Sequence, residues 1–113
     1  MLTDDARALA DKLKASEQYR TYAEAKERAC AKESTAALLN ELSALRVRTQ
    51  AAAVAGKRDA EAEEKLFRLG ELLQFDADAA AYLLAEYRLN ALLGDIYRIL
   101  AEAVGLDLGA LES

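Results

Sequence analysis

The 113 residues, 53% of them hydrophobic and 31% charged with a net charge of −5, suit one domain spanning 1–113 and large enough for one core. Histidine and proline are absent and only five glycines are present, which removes the commonest general base and zinc ligand and leaves few residues that oppose helix. No apolar run reaches the roughly 18 to 20 residues that span a bilayer, and the start, Met1-Leu2-Thr3-Asp4-Asp5, is acidic where a secretory signal is basic; a cytoplasmic protein without membrane insertion is expected.

The composition predicts an all-α fold, a helical hairpin or bundle of about four to five helices with a long C-terminal helix. Leu2, Ala6, Leu9 and Leu13 recur at helical spacing, giving a short first helix, and Ser16 is suited to cap a second one. From Glu17 to about Ala31, Tyr19, Tyr22, Ala25, Ala29 and Cys30 form a weaker stripe, which either starts a new helix or continues the first. Ser34 or Thr35 is the next candidate N-cap. The helix that follows carries Leu38, Leu42, Leu45, Thr49 and Ala52 at alternating four- and three-residue spacing, the period of a coiled-coil seam. Gly56 can close it in the left-handed conformation, with Lys57 and Arg58 facing its negative end.

Asp59, Glu61, Glu63 and Glu64 suit the start of a fourth helix, whose apolar face is Leu66, Leu69 and Leu73. The short connection at residues 55–58 implies an antiparallel hairpin. Asp76 then caps a last helix of about 28 residues, with Asp78 in its first turn and Gly105 at its close. Tyr82, Ala85, Leu89, Leu92, Ile96, Ile99, Ala103 and Leu106 repeat at 3-4-3-4 spacing, and Leu83, Tyr87, Leu93, Tyr97, Leu100 and Val104 make a second stripe. Two stripes need two neighbours. A homo-oligomer, a dimer by preference, is expected through an interface of Tyr82, Leu89, Leu92, Ile96 and Ile99. The competing arrangement folds the first two helices over that stripe within one chain.

Charge is uneven: through Arg58 there are 11 Lys+Arg against 8 Asp+Glu, and from Asp59 onward 4 against 12. Attraction between the halves favours antiparallel helices or subunits. A basic patch of Arg46, Arg48, Lys57 and Arg58 near the hairpin tip is the one candidate for phosphate contact, but the acidic total argues against direct nucleic-acid binding. No catalytic, cofactor-binding or metal-binding residues are expected. The five glycines, at 56, 70, 94, 105 and 109, are too dispersed for a phosphate-cradling loop. Pairs such as Glu61 with Glu64 read as a solvated face, the tyrosines as packing residues, and Cys30 as a small buried hydrophobe that alone holds no iron–sulfur centre.

Three stretches carry a family resemblance: Ala6-x-x-Leu9-Ala10-Asp11-x-Leu13-Lys14-x-Ser16-Glu17-x-Tyr19 followed by Tyr22-x-x-Ala25; Tyr82-Leu83-x-Ala85-Glu86-x-x-Leu89-Asn90-x-Leu92-Leu93; and the ending Val104-Gly105-Leu106-Asp107, with Gly56 between two helices. Together they resemble the YlbF/YmcA family of small helical bacterial proteins over nearly the whole chain. The chain departs from that pattern in lacking prolines before the third and last helices, and in lacking the cysteine-rich tail that some members use for iron–sulfur binding. The resemblance implies a non-catalytic regulatory or adaptor subunit that assembles with related family subunits and modulates RNase Y-dependent RNA processing, affecting competence, sporulation or biofilm formation. The alternative function is a nucleic-acid-binding helical module using the basic N-terminal half.

Overall fold

A computed structural model describes residues 1–105, so Leu106, Asp107, Leu108 and Gly109 of the patterns above lie outside it. Five α-helices follow in order: α1 Leu2–Lys14, α2 Glu17–Cys30, α3 Glu33–Val54, α4 Ala60–Leu73 and α5 Ala77–Val104. Ser16 separates α1 from α2: its Oγ accepts from the Tyr19 N–H at 3.2 Å and donates to the Leu13 carbonyl. The second helix is therefore a new one and does not continue the first.

The α3–α4 hairpin forms as its sequence requires. Gly56 sits at φ +72°; the Lys57 N–H reaches the Ala52 carbonyl at 2.8 Å and the Gly56 N–H the Ala53 carbonyl at 3.0 Å, the pair of bonds that satisfies the last carbonyls of a helix closed by a left-handed residue. Asp59 then caps α4, accepting from the Ala62 N–H at 3.0 Å. Leu39, Leu42 and Leu45 of α3 meet Leu69 and Leu73 of α4, with Leu38 and Leu66 packed at the margin. Burying each leucine contributes about 1.5 to 3 kcal/mol, so this hairpin holds most of the aliphatic core. Of the two cations beyond the end of α3, Arg58 reaches forward to Glu63 at 3.2 Å.

α5 spans 28 residues, and Gly105 closes it at φ +74°. Its main neighbour is α2. Ala29 and Ala79 share one core cluster, and the Tyr22 and Tyr82 rings lie 5.6 Å apart. Glu17, Gln18 and Thr21 lie beside Ala85 and Arg88, so α2 runs antiparallel along the first half of α5. The only buried residues of α2 are Ala25 and Ala29. Small side chains on both sides let the two axes approach closely, at the cost of little aliphatic burial. Cys30, expected among buried hydrophobes, is exposed; Ala29, fully buried next to it, takes the inward position.

The third helix starts earlier than its candidate caps suggest. Glu33 is its first residue and Lys32 its N-cap, with no side-chain cap bond. Ser34 and Thr35 thus lie inside the helix, and Thr35 turns inward to 2% exposure. Its hydroxyl donates to Asp76 Oδ2, while Asp76 Oδ1 accepts from the Asp78 and Ala79 N–H groups at 3.0 and 3.2 Å. One carboxylate therefore caps α5 and ties it to α3. Lys32 adds an ion pair to Asp78 at 2.9 Å.

These bonds favour ionised carboxylates. The Thr35 hydroxyl first, then the Ala79 N–H, hold Asp76 below its ordinary 3.8; the Ala62 N–H first, then Arg48, do the same for Asp59. The Asp78 carboxylate raises Lys32. Outside the hairpin core the chain is thin. The principal extents are 44 × 37 × 17 Å and the radius of gyration is 16.7 Å, against about 13 Å for a compact chain of this length.

Two expectations follow. Thr35→Val keeps the shape of the side chain but removes its bond to Asp76, and should destabilise the chain by about 1 to 2 kcal/mol in urea unfolding while leaving helix content unchanged. Asp76 and Asp59 titrate lower folded than unfolded, so their contribution to stability is complete above 3.8 and is lost as pH falls from there through the lowered folded values. Urea midpoints measured between pH 6 and 2 should fall in that window, and Asp76→Asn should flatten the fall.

Candidate functional site

The interface residues expected on α5 divide into two groups. Tyr82 is used within the chain: it packs on Tyr22, its hydroxyl donates to Glu86 Oε2 at 3.3 Å, and desolvation first, then Tyr22 and Glu86, push its ionisation up. Ala85, next in the stripe, is buried against the α2 side. Leu89, Leu92 and Ile96 are half-buried, and Ile99 is 66% exposed. The arrangement with the N-terminal helices folded over the stripe is thus realised along the first half of α5 and incomplete along the second.

Beyond α2 that second half faces α1. An open groove of about 260 Å3 separates them, with Ala6, Leu9 and Leu13 on one wall and Ile96, Tyr97 and Leu100 on the other. No residue of α1 is buried. On α5 itself Tyr97, Leu100 and Val104 are 62, 55 and 69% exposed, an apolar density that monomers rarely leave to water. The sequence shows both stripes; that they meet across a groove follows from the turn at Ser16, which has no signature beyond the cap itself.

The basic patch does not assemble as a free surface. Arg46 pairs with Glu86 at 2.8 Å, Arg48 with Asp59 at 2.9 Å and Arg58 with Glu63 at 3.2 Å; Lys57 alone has no ion-pair partner among the described residues. With Lys32–Asp78, four ion pairs join the basic N-terminal half to the acidic C-terminal half. Part of the uneven charge read from the sequence is thus matched inside the chain.

The acidic face of α4 is likewise paired. Glu61 meets Lys65 at 2.8 Å and Glu64 meets Arg68 at 2.6 Å; the Lys65 bond holds Glu61 below its ordinary value, opposite to what a proton donor near neutrality requires. Among the described residues no group of three or more His, Cys, Asp or Glu is placed to hold a metal ion, and no helix is long and apolar enough to cross a membrane. What the surface offers is exposed apolar area, at the α1–α5 groove and the far end of α5.

Comparison with known proteins agrees with this reading of the fold. The family model described as control of competence regulator ComK, YlbF/YmcA, matches residues 2–105. A UPF0342 protein of Symbiobacterium thermophilum is 37% identical over 106 residues, covering 93% of this chain and 95% of its own length. Another UPF0342 protein, from Halothermothrix orenii, is 33% identical over 113 residues, covering 99% and 94%. Among solved structures, Bacillus subtilis RicA in complex with RicF superposes with a TM-score of 0.61 at 20% identity, over 92% of this chain and 93% of that one, a likeness of fold.

Proposed function

The chain belongs to the YlbF/YmcA family, and from that premise we propose that it is a regulatory or adaptor subunit acting through helix-mediated association with related subunits and with copies of itself. It is a non-catalytic protein, as befits a family described by its control of a regulator. The observation that carries the proposal is the second half of α5, where Tyr97, Ile99, Leu100 and Val104 stay more than half exposed beside an open apolar groove. Leu89, Leu92, Ile96 and Ile99 belong to this docking face, with Tyr82 supporting it from inside.

The finer reading is modulation of RNase Y-dependent RNA processing in the cytoplasm, with effects on competence, sporulation or biofilm formation. Its support is the family description, which names the competence regulator ComK, and a fold shared with RicA, whose structure was solved in complex with RicF. Partnership with a related subunit is a natural use of an exposed helical face, because an apolar stripe accepts another amphipathic helix without chemistry of its own. Direct contact with RNA has no comparable support, since three of the four patch cations are already paired.

Light scattering on the unmodified chain at micromolar concentration should report a dimer. Ile99→Glu together with Leu100→Glu places charge where the single chain is already wet, so helix content by circular dichroism should persist while the mass halves. A monomeric mass for the unmodified protein defeats the self-association. For the finer reading, deleting the gene should alter the processing of RNase Y substrates in the native cell, and an unaltered pattern removes that role.

A further inference from the structure

α1 is the one helix with none of its residues buried. At 13 residues it is near the length, about 12 to 15, below which an isolated helix is marginal in water. Its stability calls for packing on the apolar stripe of Leu2, Ala6, Leu9 and Leu13. Within the chain that stripe meets only the groove, which α5 leaves open by about 260 Å3.

The charges beside the stripe say what closes it. Asp5 and Lys12 are seven residues apart, two helical turns, and so lie on the same flank of the apolar stripe. Neither has an ion-pair partner among the described residues, whereas Asp4 is held by Arg7 at 3.2 Å and by the N-terminal ammonium at 3.7 Å. A helix whose flank carries an acid in its first half and a base two turns later is complementary to itself when turned antiparallel.

Resting on the self-association proposed above, we infer that the occupant of the groove is a second copy of this chain, its α1 antiparallel to the first across a two-fold axis between Ala8 and Leu9. In that register Asp5 of each copy meets Lys12 of the other, giving two symmetric ion pairs. Leu9 packs beside its own symmetry mate, and Leu13 falls between the mate's Leu2 and Ala6. A parallel pairing sets the flank of Asp5 and Lys12 against the mate's opposite flank, where Thr3 and Ala10 lie, and forms neither ion pair, so charge favours the antiparallel arrangement. The two α5 helices then flank the α1 pair, and the facing grooves close as a four-helix bundle with Tyr97 and Leu100 in its core.

The test is charge exchange in the full-length protein, with solution mass measured by sedimentation at micromolar concentration and moderate salt. Asp5→Lys alone and Lys12→Asp alone each convert two attractions into two repulsions, and each should raise the dimer dissociation constant on the order of tenfold, since exposed pairs contribute about 0.2 to 1 kcal/mol apiece. Both positions are exposed on a helix that buries nothing, so the fold of α2–α5 should be retained. Mixing the two single variants in equal amounts should restore the dimer, because each supplies the charge the other lacks, and Asp5→Lys/Lys12→Asp in one chain should restore it as well. If both single variants dimerise as the unmodified chain does while Ile99→Glu/Leu100→Glu still dissociates it, the α1 pairing is wrong and self-association through α5 stands. A monomeric unmodified chain overturns both and leaves the groove to a different occupant.

Discussion

The hydrogen bond from Thr35 to Asp76 ties the start of α5 to the α3–α4 hairpin beside the core that the two share. The hairpin leucines form one cluster with Ala29 of α2 and Ala79 of α5, and Tyr82 and Leu83 pack against it. Little links α4 to α5 beyond the turn between them. Thr35 is the one buried polar residue among the described ones, and a buried hydroxyl without a partner costs about 1 to 3 kcal/mol. Its inward position is therefore tolerable only with Asp76 in place. Since that same carboxylate caps α5, the start of the longest helix and its attachment to the hairpin are one event.

From that junction the rest of the layout follows. α5 leaves the hairpin and runs outward, with α2 returning along it through a narrow, alanine-lined contact. Such a contact fixes position by close approach more than by buried area, and along α5 it stops where α2 begins, at Glu17 beside Arg88. The second half of α5 is then held on one side only by α1, across a gap. A thickness of 17 Å leaves no interior in which both apolar stripes of α5 could be covered, so the fold itself produces an exposed apolar edge. Electrostatics reinforce the arrangement without serving a ligand: the cations at 32, 46, 48 and 58 are matched to carboxylates at 78, 86, 59 and 63.

A protein so arranged has surface to offer and no reaction centre among its described residues. Asp59, Glu61 and Asp76 are capping or paired and held below their ordinary values, which keeps them ionised and structural. The one strong upward shift belongs to Tyr82, whose hydroxyl is committed to Glu86 beneath the α2–α5 contact. Regulation by association fits this distribution: the rigid hairpin and its junction present one long helix, and the free half of that helix, with α1 beside it, is available to a subunit of matching shape.

The helical class, the hairpin at Gly56, the 28-residue last helix and the family were legible in the sequence, whereas the break between α1 and α2 was left open there. Each is written in local terms: apolar spacing, a cap at Ser16, Asp59 or Asp76, a glycine able to take positive φ. Legible too were the two stripes of α5, because their spacing exceeds what one neighbour covers. Other features belong to the tertiary structure alone. Thr35 read as a cap because its hydroxyl suits that role, yet it became a buried tie, since its partner lies 41 residues away and no local pattern encodes that distance. The four basic-patch residues are neighbours in sequence, but Arg46, Arg48 and Arg58 were drawn to separate carboxylates, and Cys30 was turned outward by the tighter seat that Ala29 occupies. Periodicity states that a face is apolar; only packing in three dimensions decides which stretch of that face the chain covers itself and which it leaves for another molecule.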